Sequence, residues 1–156
     1  RVIGNLILSS GTNLGADVPP EVGEEMQKDW RAVFGGLMAS GVSAKSKAER
    51  PEITAFMEGC FNNDTNFTTE VWWASVGDPG GVFNWNISDQ LKDIKQPTLI
   101  IAGAEDGATS PEQNQFLADR IPDSKIKFYD DVGHFCQLEK PVDFNNDLRD
   151  FIKQVV

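Results

Sequence analysis

Residues 94–152 read IKQPTLIIAGAEDGATSPEQNQFLADRIPDSKIKFYDDVGHFCQLEKPVDFNNDLRDFI, and the order of elements in this stretch decides the fold class. Pro97 leads into TLIIAG, an uncharged apolar run of strand length, which predicts a strand buried on both faces. The loop AEDGATSPEQ follows. In it Ser110 stands where an N-cap belongs, Pro111 at the first helical position and Gln113 where a capping box needs it, so a helix is predicted to begin there. Phe116, Leu117 and Ile121 give that helix a buried side. KIKFY is a second short strand. Past a loop that holds His134, Pro141 starts another helix, with a stripe of Phe144, Leu148, Phe151, Ile152 and Val155. Strand, helix, strand, helix is the alternation of an α/β fold built on a parallel sheet.

Upstream, VIGNLILS (2–9) is apolar and rich in strand formers, which suits another buried parallel strand. SGTNLGADVPP then predicts a loop. Between 21 and 38 the apolar residues Val22, Met26, Trp30, Val33, Phe34, Leu37 and Met38 form a helical stripe behind Pro19-Pro20. GVSAKSKAER (41–50) reads as a polar linker. Ile53, Phe56, Met57, Cys60 and Phe61 make a second helical stripe. NNDTNFT interrupts it, TEVWWASV predicts a third helix, and GDPGG is a turn. The predicted organisation is therefore a core strand and loop over 1–14, a helical unit over 15–92, and core strands and helices over 93–156. There is no internal repeat.

His134 is the only histidine of the chain. In open α/β sheets the functional loops lie beyond the carboxyl ends of the strands. One such loop follows TLIIAG and carries Glu105 and Asp106; the other follows KIKFY and carries His134. On parallel neighbouring strands both loops would reach the same edge. A carboxylate there could accept the imidazole N–H, set its tautomer and stabilise the imidazolium. Taken singly, Asp106 reads as a turn residue and His134 as a satisfied loop histidine. Their order and their places at two strand ends favour the acid–base pair, with Glu105 as a solvated neighbour of Asp106.

With these motifs in place, the chain from about residue 94 to 156 resembles the C-terminal portion of an α/β-hydrolase-fold enzyme. The resemblance lies in the proline-led strand, the G-x-x-D, the S/T-P helix start, IPDS, a short strand, and G-H followed by EKP and a final helix. It implies that Asp106 is the acid of a catalytic triad and His134 its general base. It also implies that residues 15 to 90 are a helical cap inserted over the site, and that RVIGNLILSS is similar to the strand after the nucleophile-bearing helix. The family's nucleophile sits on a G-x-S-x-G turn, and this chain has no G-x-S-x-G, G-x-C-x-G or G-x-D-x-G. Ser9 and Ser10 follow a strand, but turn residues rather than a helix come next, which argues against either as nucleophile. The resemblance therefore implies a partner: an N-terminal polypeptide of the same hydrolase, supplying nucleophile and oxyanion hole.

The activity implied is hydrolysis of an ester, lactone or amide bond of a small apolar molecule, with no cofactor. The alternatives are an epoxide, haloalkane or C–C bond hydrolase of the same fold, and a non-catalytic member that binds a small ligand in the capped pocket. Trp72 and Trp73, side by side before GDPGG, are the candidates for substrate contact, with Trp30 and Trp85 as further aromatics; packing of the cap is the competing reading.

Composition sets the outer bounds. A hydrophobic content of 40% suits a globular domain rather than a disordered one. A net charge of −10, from 14 basic against 24 acidic residues, argues against nucleic acid and anionic membranes as partners. No apolar run approaches the ~18 residues of a membrane span, and the start lacks the long apolar core and cleavage site of a signal peptide. Cys60 and Cys136 define no disulfide framework; they could pair, pair elsewhere or stay reduced. One histidine and two scattered cysteines offer no metal-ligand spacing. Sequons at Asn63, Asn66 and Asn86 give a mild lean to secretion and glycosylation.

Overall fold

A computed structural model describes residues 6–9, 20–62 and 87–155. The expected third helix, the GDPGG turn, Trp72, Trp73, Trp85, Ser10 and the asparagines of all three sequons lie outside the described residues. Three strands, β1 (Leu6–Ser9), β2 (Thr98–Gly103) and β3 (Ser124–Tyr129), form a parallel sheet in that order. Leu6 lies opposite Thr98, and Thr98 opposite Ser124.

Every residue of β2 is buried. The strand has a neighbour on each side and helices over both faces, which is why its sequence is a continuous apolar run rather than an alternation. Successive side chains still point to opposite faces. Leu99 and Ile101 join Tyr129, Val132, Cys136 and Phe151 on one face, against the last helix. Ile100 joins Leu91, Leu117 and Ile121 on the other. Each fully buried side chain of this kind contributes roughly 1.5–3 kcal/mol by transfer from water. Strand β3 alternates instead: Lys125 and Lys127 are exposed while Ser124, Ile126 and Phe128, on the other face, are half-buried.

Between β2 and β3 runs a helix over Pro111–Arg120, which begins as the sequence predicts. The Ser110 hydroxyl accepts from the Gln113 N–H and the Gln113 side chain accepts from the Ser110 N–H. The final helix, Pro141–Val155, buries Phe151 and packs Phe144 and Val155 beside it, while Ile152 is 40% exposed, so its apolar stripe is narrower than expected. Two short elements were not anticipated. A helix over Cys136–Glu139 stands between His134 and Pro141, and a 3₁₀ helix over Ser88–Asp93 places Ile87 and Leu91 against the Ile100 face.

In the N-terminal half, α1 (Pro20–Ser40) starts at the expected proline but breaks at Asp29 (φ −151°, ψ 81°), so the expected single stripe is two pieces. Trp30, next to the break, is 2% exposed and therefore a packing residue. The segment 41–50 is not a linker. It contains a helix, α2 (Ala44–Glu49), capped by Ser43, whose side chain accepts from the Ser46 N–H. The cap, followed by alanines, lysines and a glutamate, makes a helical turn out of residues that carry no apolar periodicity. Helix α3 (Pro51–Asn62) turns Ile53 and Met57 inward but leaves Phe56 58% exposed. In chain order the helices after α3 are α4 (Pro111–Arg120), α5 (Cys136–Glu139) and α6 (Pro141–Val155). Val42, Ile53 and Met57 pack with Phe135, the residue after the single histidine, which brings the helical segment onto the histidine loop. Among the described residues no helix is long and apolar enough to cross a membrane.

Candidate active site

Strands β2 and β3 are parallel and adjacent, so the loops after them emerge at the same edge of the sheet. They are joined through the backbone: the Ala104 N–H donates to the Tyr129 carbonyl (2.9 Å) and the Glu105 N–H to the Val132 carbonyl (2.9 Å). Gly103 makes this approach possible. A Cβ there would lie 2.1 Å from the Gly133 carbonyl oxygen and 2.2 Å from that of Val132, closer than atoms can pack.

Asp106 is 3% exposed and held by its own loop. Oδ1 accepts from the Ala108 N–H and the Thr109 N–H, each at 2.9 Å. Oδ2 accepts from the Thr109 hydroxyl at 2.8 Å. The carbonyl of Thr109 is fixed in turn by the amide of Asn114, a fully buried residue of α4 (3.0 Å). Burial alone would raise the Asp106 pKa. The hydrogen bonds from His134 and Thr109 outweigh it and hold the pKa below the ordinary carboxylate value.

His134 Nδ1 lies 3.0 Å from Oδ2 and 3.1 Å from Oδ1 of Asp106. An ionised carboxylate only accepts, so this contact puts the proton on Nδ1 and directs the lone pair to Nε2, on the other side of the ring. A pair built this way can take a proton at Nε2 and stabilise the resulting imidazolium. The histidine side chain is 20% exposed, against 0% for the aspartate. The imidazole can therefore be reached from outside while its partner is sealed. The ring meets Phe135 edge-on at 5.1 Å.

The histidine loop leaves β3 through Asp131 at φ 57°, a left-handed conformation that aspartate tolerates better than most residues. Its further fixings come partly from remote chain and partly from the short helix that follows it. The His134 N–H donates to the Gly41 carbonyl at 2.6 Å. Gly133 presses against the same carbonyl so closely that a Cβ there would lie 2.0 Å from the oxygen. The Glu139 carboxylate, 7% exposed, accepts from the N–H groups of Gly133 (3.0 Å), Phe135 (3.4 Å) and Ser43 (3.1 Å).

Of the residues singled out in the sequence, Asp106 and His134 are thus brought together. Glu105 is exposed, as expected of a solvated neighbour, and its carboxylate also accepts from the Ala44 N–H at 3.1 Å. Cys136 is a free, fully buried thiol, which ends the question of a disulfide at that position. Burial first, then the nearby Glu139 and Asp106 carboxylates, push its pKa up to about 12, which disfavours the thiolate that a nucleophile needs. Trp72 and Trp73 lie outside the described residues. Sequence reasoning missed Thr109, Asn114, Glu139 and the Gly41–Ser43 turn. The signals were faint: a threonine three residues after the aspartate, and a glutamate five after the histidine.

Residues 61–141 match the family described as the alpha/beta hydrolase fold, so the chain belongs to that family. It is 31% identical over 71 residues to a 2-hydroxy-6-oxo-6-phenylhexa-2,4-dienoate hydrolase of Comamonas testosteroni, a match spanning 46% of this chain and 25% of the relative. It is 32% identical over 69 residues to a 3-oxoadipate enol-lactonase of Acinetobacter baylyi, spanning 44% of this chain and 26% of that one. Among solved structures, one described as "Est816 as an N-Acyl homoserine lactone degrading enzyme" superposes with a TM-score of 0.85 at 54% identity, over 97% of this chain and 58% of that one. An enol-lactonase from Burkholderia xenovorans LB400 shares the fold, with a TM-score of 0.79 at 18% identity, over 96% of this chain and 56% of that one. The chain thus spans little more than half of these solved structures, and its matches to the curated relatives cover about a quarter of their length.

Proposed function

We propose that the protein carrying this chain is a serine-type hydrolase of an ester, lactone or amide bond in a small apolar molecule. In this reading His134 is the general base and Asp106 orients it. The observation that carries the proposal is the contact of His134 Nδ1 with the sealed Asp106 carboxylate at the carboxyl ends of two parallel strands. The nucleophile and oxyanion hole come from polypeptide outside these 156 residues, because the chain holds no G-x-S-x-G turn of its own. No cofactor enters the scheme. His134 takes the proton of the nucleophilic hydroxyl as it attacks the carbonyl, and returns it to the leaving oxygen or nitrogen. A lactone is the first substrate to try, with an N-acyl homoserine lactone at the head, since the 54% identical structure is described as degrading one. Trp72 and Trp73 are assigned to substrate contact from their sequence position, so Trp73→Ala should raise KM more than it lowers stability.

The test uses the full-length protein that contains this chain. Wild type should hydrolyse an activated ester and an acyl lactone and take up a serine-directed phosphonate covalently. His134→Ala should abolish both. Near-normal turnover by His134→Ala would overturn the assignment. Turnover without phosphonate labelling would move the nucleophile from serine to another residue type.

A further inference from the structure

Resting on the reading of His134 as the base, we propose that Glu139 is a positioning residue, one that fastens the histidine loop to the turn between α1 and α2 and so aims the imidazole at Asp106. A buried carboxylate is costly unless hydrogen bonds compensate it. Among the described residues no lysine or arginine forms an ion pair with Glu139; backbone N–H groups compensate it instead. Oε1 accepts from Gly133 and Phe135, the residues on either side of the histidine, and Oε2 accepts from Ser43. With the His134 N–H on the Gly41 carbonyl, three successive N–H groups at 133, 134 and 135 each have a fixed acceptor. The backbone that carries the imidazole is therefore held at every N–H through the histidine, and two of the three acceptors are one side chain.

The same carboxylate reaches the helical segment. Ser43 is the N-cap of α2, and Arg50 at the other end of that helix donates to the carbonyls of Leu138 (2.9 Å) and Glu139 (3.3 Å). The α1–α2 turn and the histidine loop are thus tied across 96 residues of chain through Glu139. Glutamine at 139 would keep the shape and lose the symmetry. Its one oxygen can serve either the Gly133–Phe135 side or Ser43, and the amide N–H₂ then faces an N–H donor on the other side. The loop should loosen without the core collapsing.

In the full-length enzyme, Glu139→Gln should lower kcat by about 10²-fold per folded molecule, the scale of a small misplacement of a catalytic group, with KM little changed. The second readout is spectroscopic. The Nδ1 proton shared with Asp106 should give a downfield proton resonance, assigned by its loss in His134→Ala. In Glu139→Gln that resonance should broaden or move while far-ultraviolet circular dichroism stays native. Wild-type kcat with an unmoved resonance in Glu139→Gln, alongside an inactive His134→Ala, would overturn the positioning role and leave the base assignment standing. Active His134→Ala with a disturbed resonance in Glu139→Gln would remove the base assignment and keep the positioning role. Failure of both Glu139→Gln and Glu139→Ala to fold would assign Glu139 to stability alone and overturn the proposal.

Discussion

In the Asp106 loop every fixing hydrogen bond of the carboxylate other than that to His134 stays within three residues, and the Asn114 brace on Thr109 within five. In the histidine loop the bracing groups include Gly41 and Ser43, and the Ser43–Glu139 bond joins residues 96 apart. The two halves of the Asp106–His134 pair are thus held by different means. The Asp106 carboxylate is held by its own neighbourhood; the His134 backbone is held in part by the remote helical segment. A change in α1–α2 should therefore disturb the His134 backbone more than the Asp106 carboxylate, which α2 meets only through the neighbouring Glu105.

The largest effect tests whether the locally built acid is needed. In the full-length enzyme Asp106→Asn should lower kcat by about 10⁴-fold, because an amide favours the wrong tautomer of the histidine. The same variant carries a pH test. The Asp106 pKa is held below its ordinary 3.8, so folding favours the ionised form. That contribution is present above the unfolded value and is lost as pH falls through the folded one. Urea unfolding below about pH 4 should therefore show wild type losing stability with acid more steeply than Asp106→Asn. Equal slopes would mean that the loop bonds do not favour the ionised carboxylate.

Next in size is the remote clamp. Gly133→Ala forces a methyl group onto the Gly41 carbonyl, at 2.0 Å before relaxation. Overpacking of this kind costs about 1–3 kcal/mol or more, and the loop must shift to relieve it. Stability and turnover should fall together, measured by denaturant unfolding and steady-state kinetics. Unchanged turnover would show that docking of the α1–α2 turn does not reach the histidine.

Smaller is the brace of the acid loop. Asn114→Ala removes the donors to the Thr109 and Ser110 carbonyls in a fully buried place, at a cost of about 1–3 kcal/mol. Asp106 keeps its direct bonds to Ala108 and Thr109, so kcat should fall far less than in Gly133→Ala. The reverse ranking would break the contrast between local and remote support. Smallest is Ser110→Ala, which removes the α4 cap for about 1 kcal/mol and should leave kinetics unchanged. A clear loss of turnover would mean that the α4 start, and not only the Thr109 contact, aims the carboxylate.

The parts legible in the sequence are those that local chemistry decides. A run such as TLIIAG has no polar side chain to expose except a threonine at its end, so a central parallel strand is its natural place. Ser110, Pro111 and Gln113 satisfy the first N–H groups of a helix wherever that helix lies, so the α4 start could be read in advance. The order of Asp106 and His134 on successive strand ends pointed to one edge of the sheet. The fold class followed from such short-range signals, and the meeting of Asp106 with His134 from the order of the strand ends.

What lay beyond the sequence is what long-range packing decides. GVSAKSKAER carries no apolar period, and α2 within it stands on one serine cap and on carboxylates delivered from remote chain, Glu105 in a loop and Glu139 at the end of α5. Glu139 itself looks like any surface glutamate shortly before a proline; its own loop supplies two N–H donors, and only the return of the helical segment adds the third, from Ser43. Gly133 could be read as part of a Gly-His pair, but not as the place where the Gly41 carbonyl arrives. Hydrophobic period and capping are properties of a few consecutive residues and survive in the sequence. A hydrogen bond across 96 residues depends on where two separate chains of packing meet, and that is decided only by the folded core.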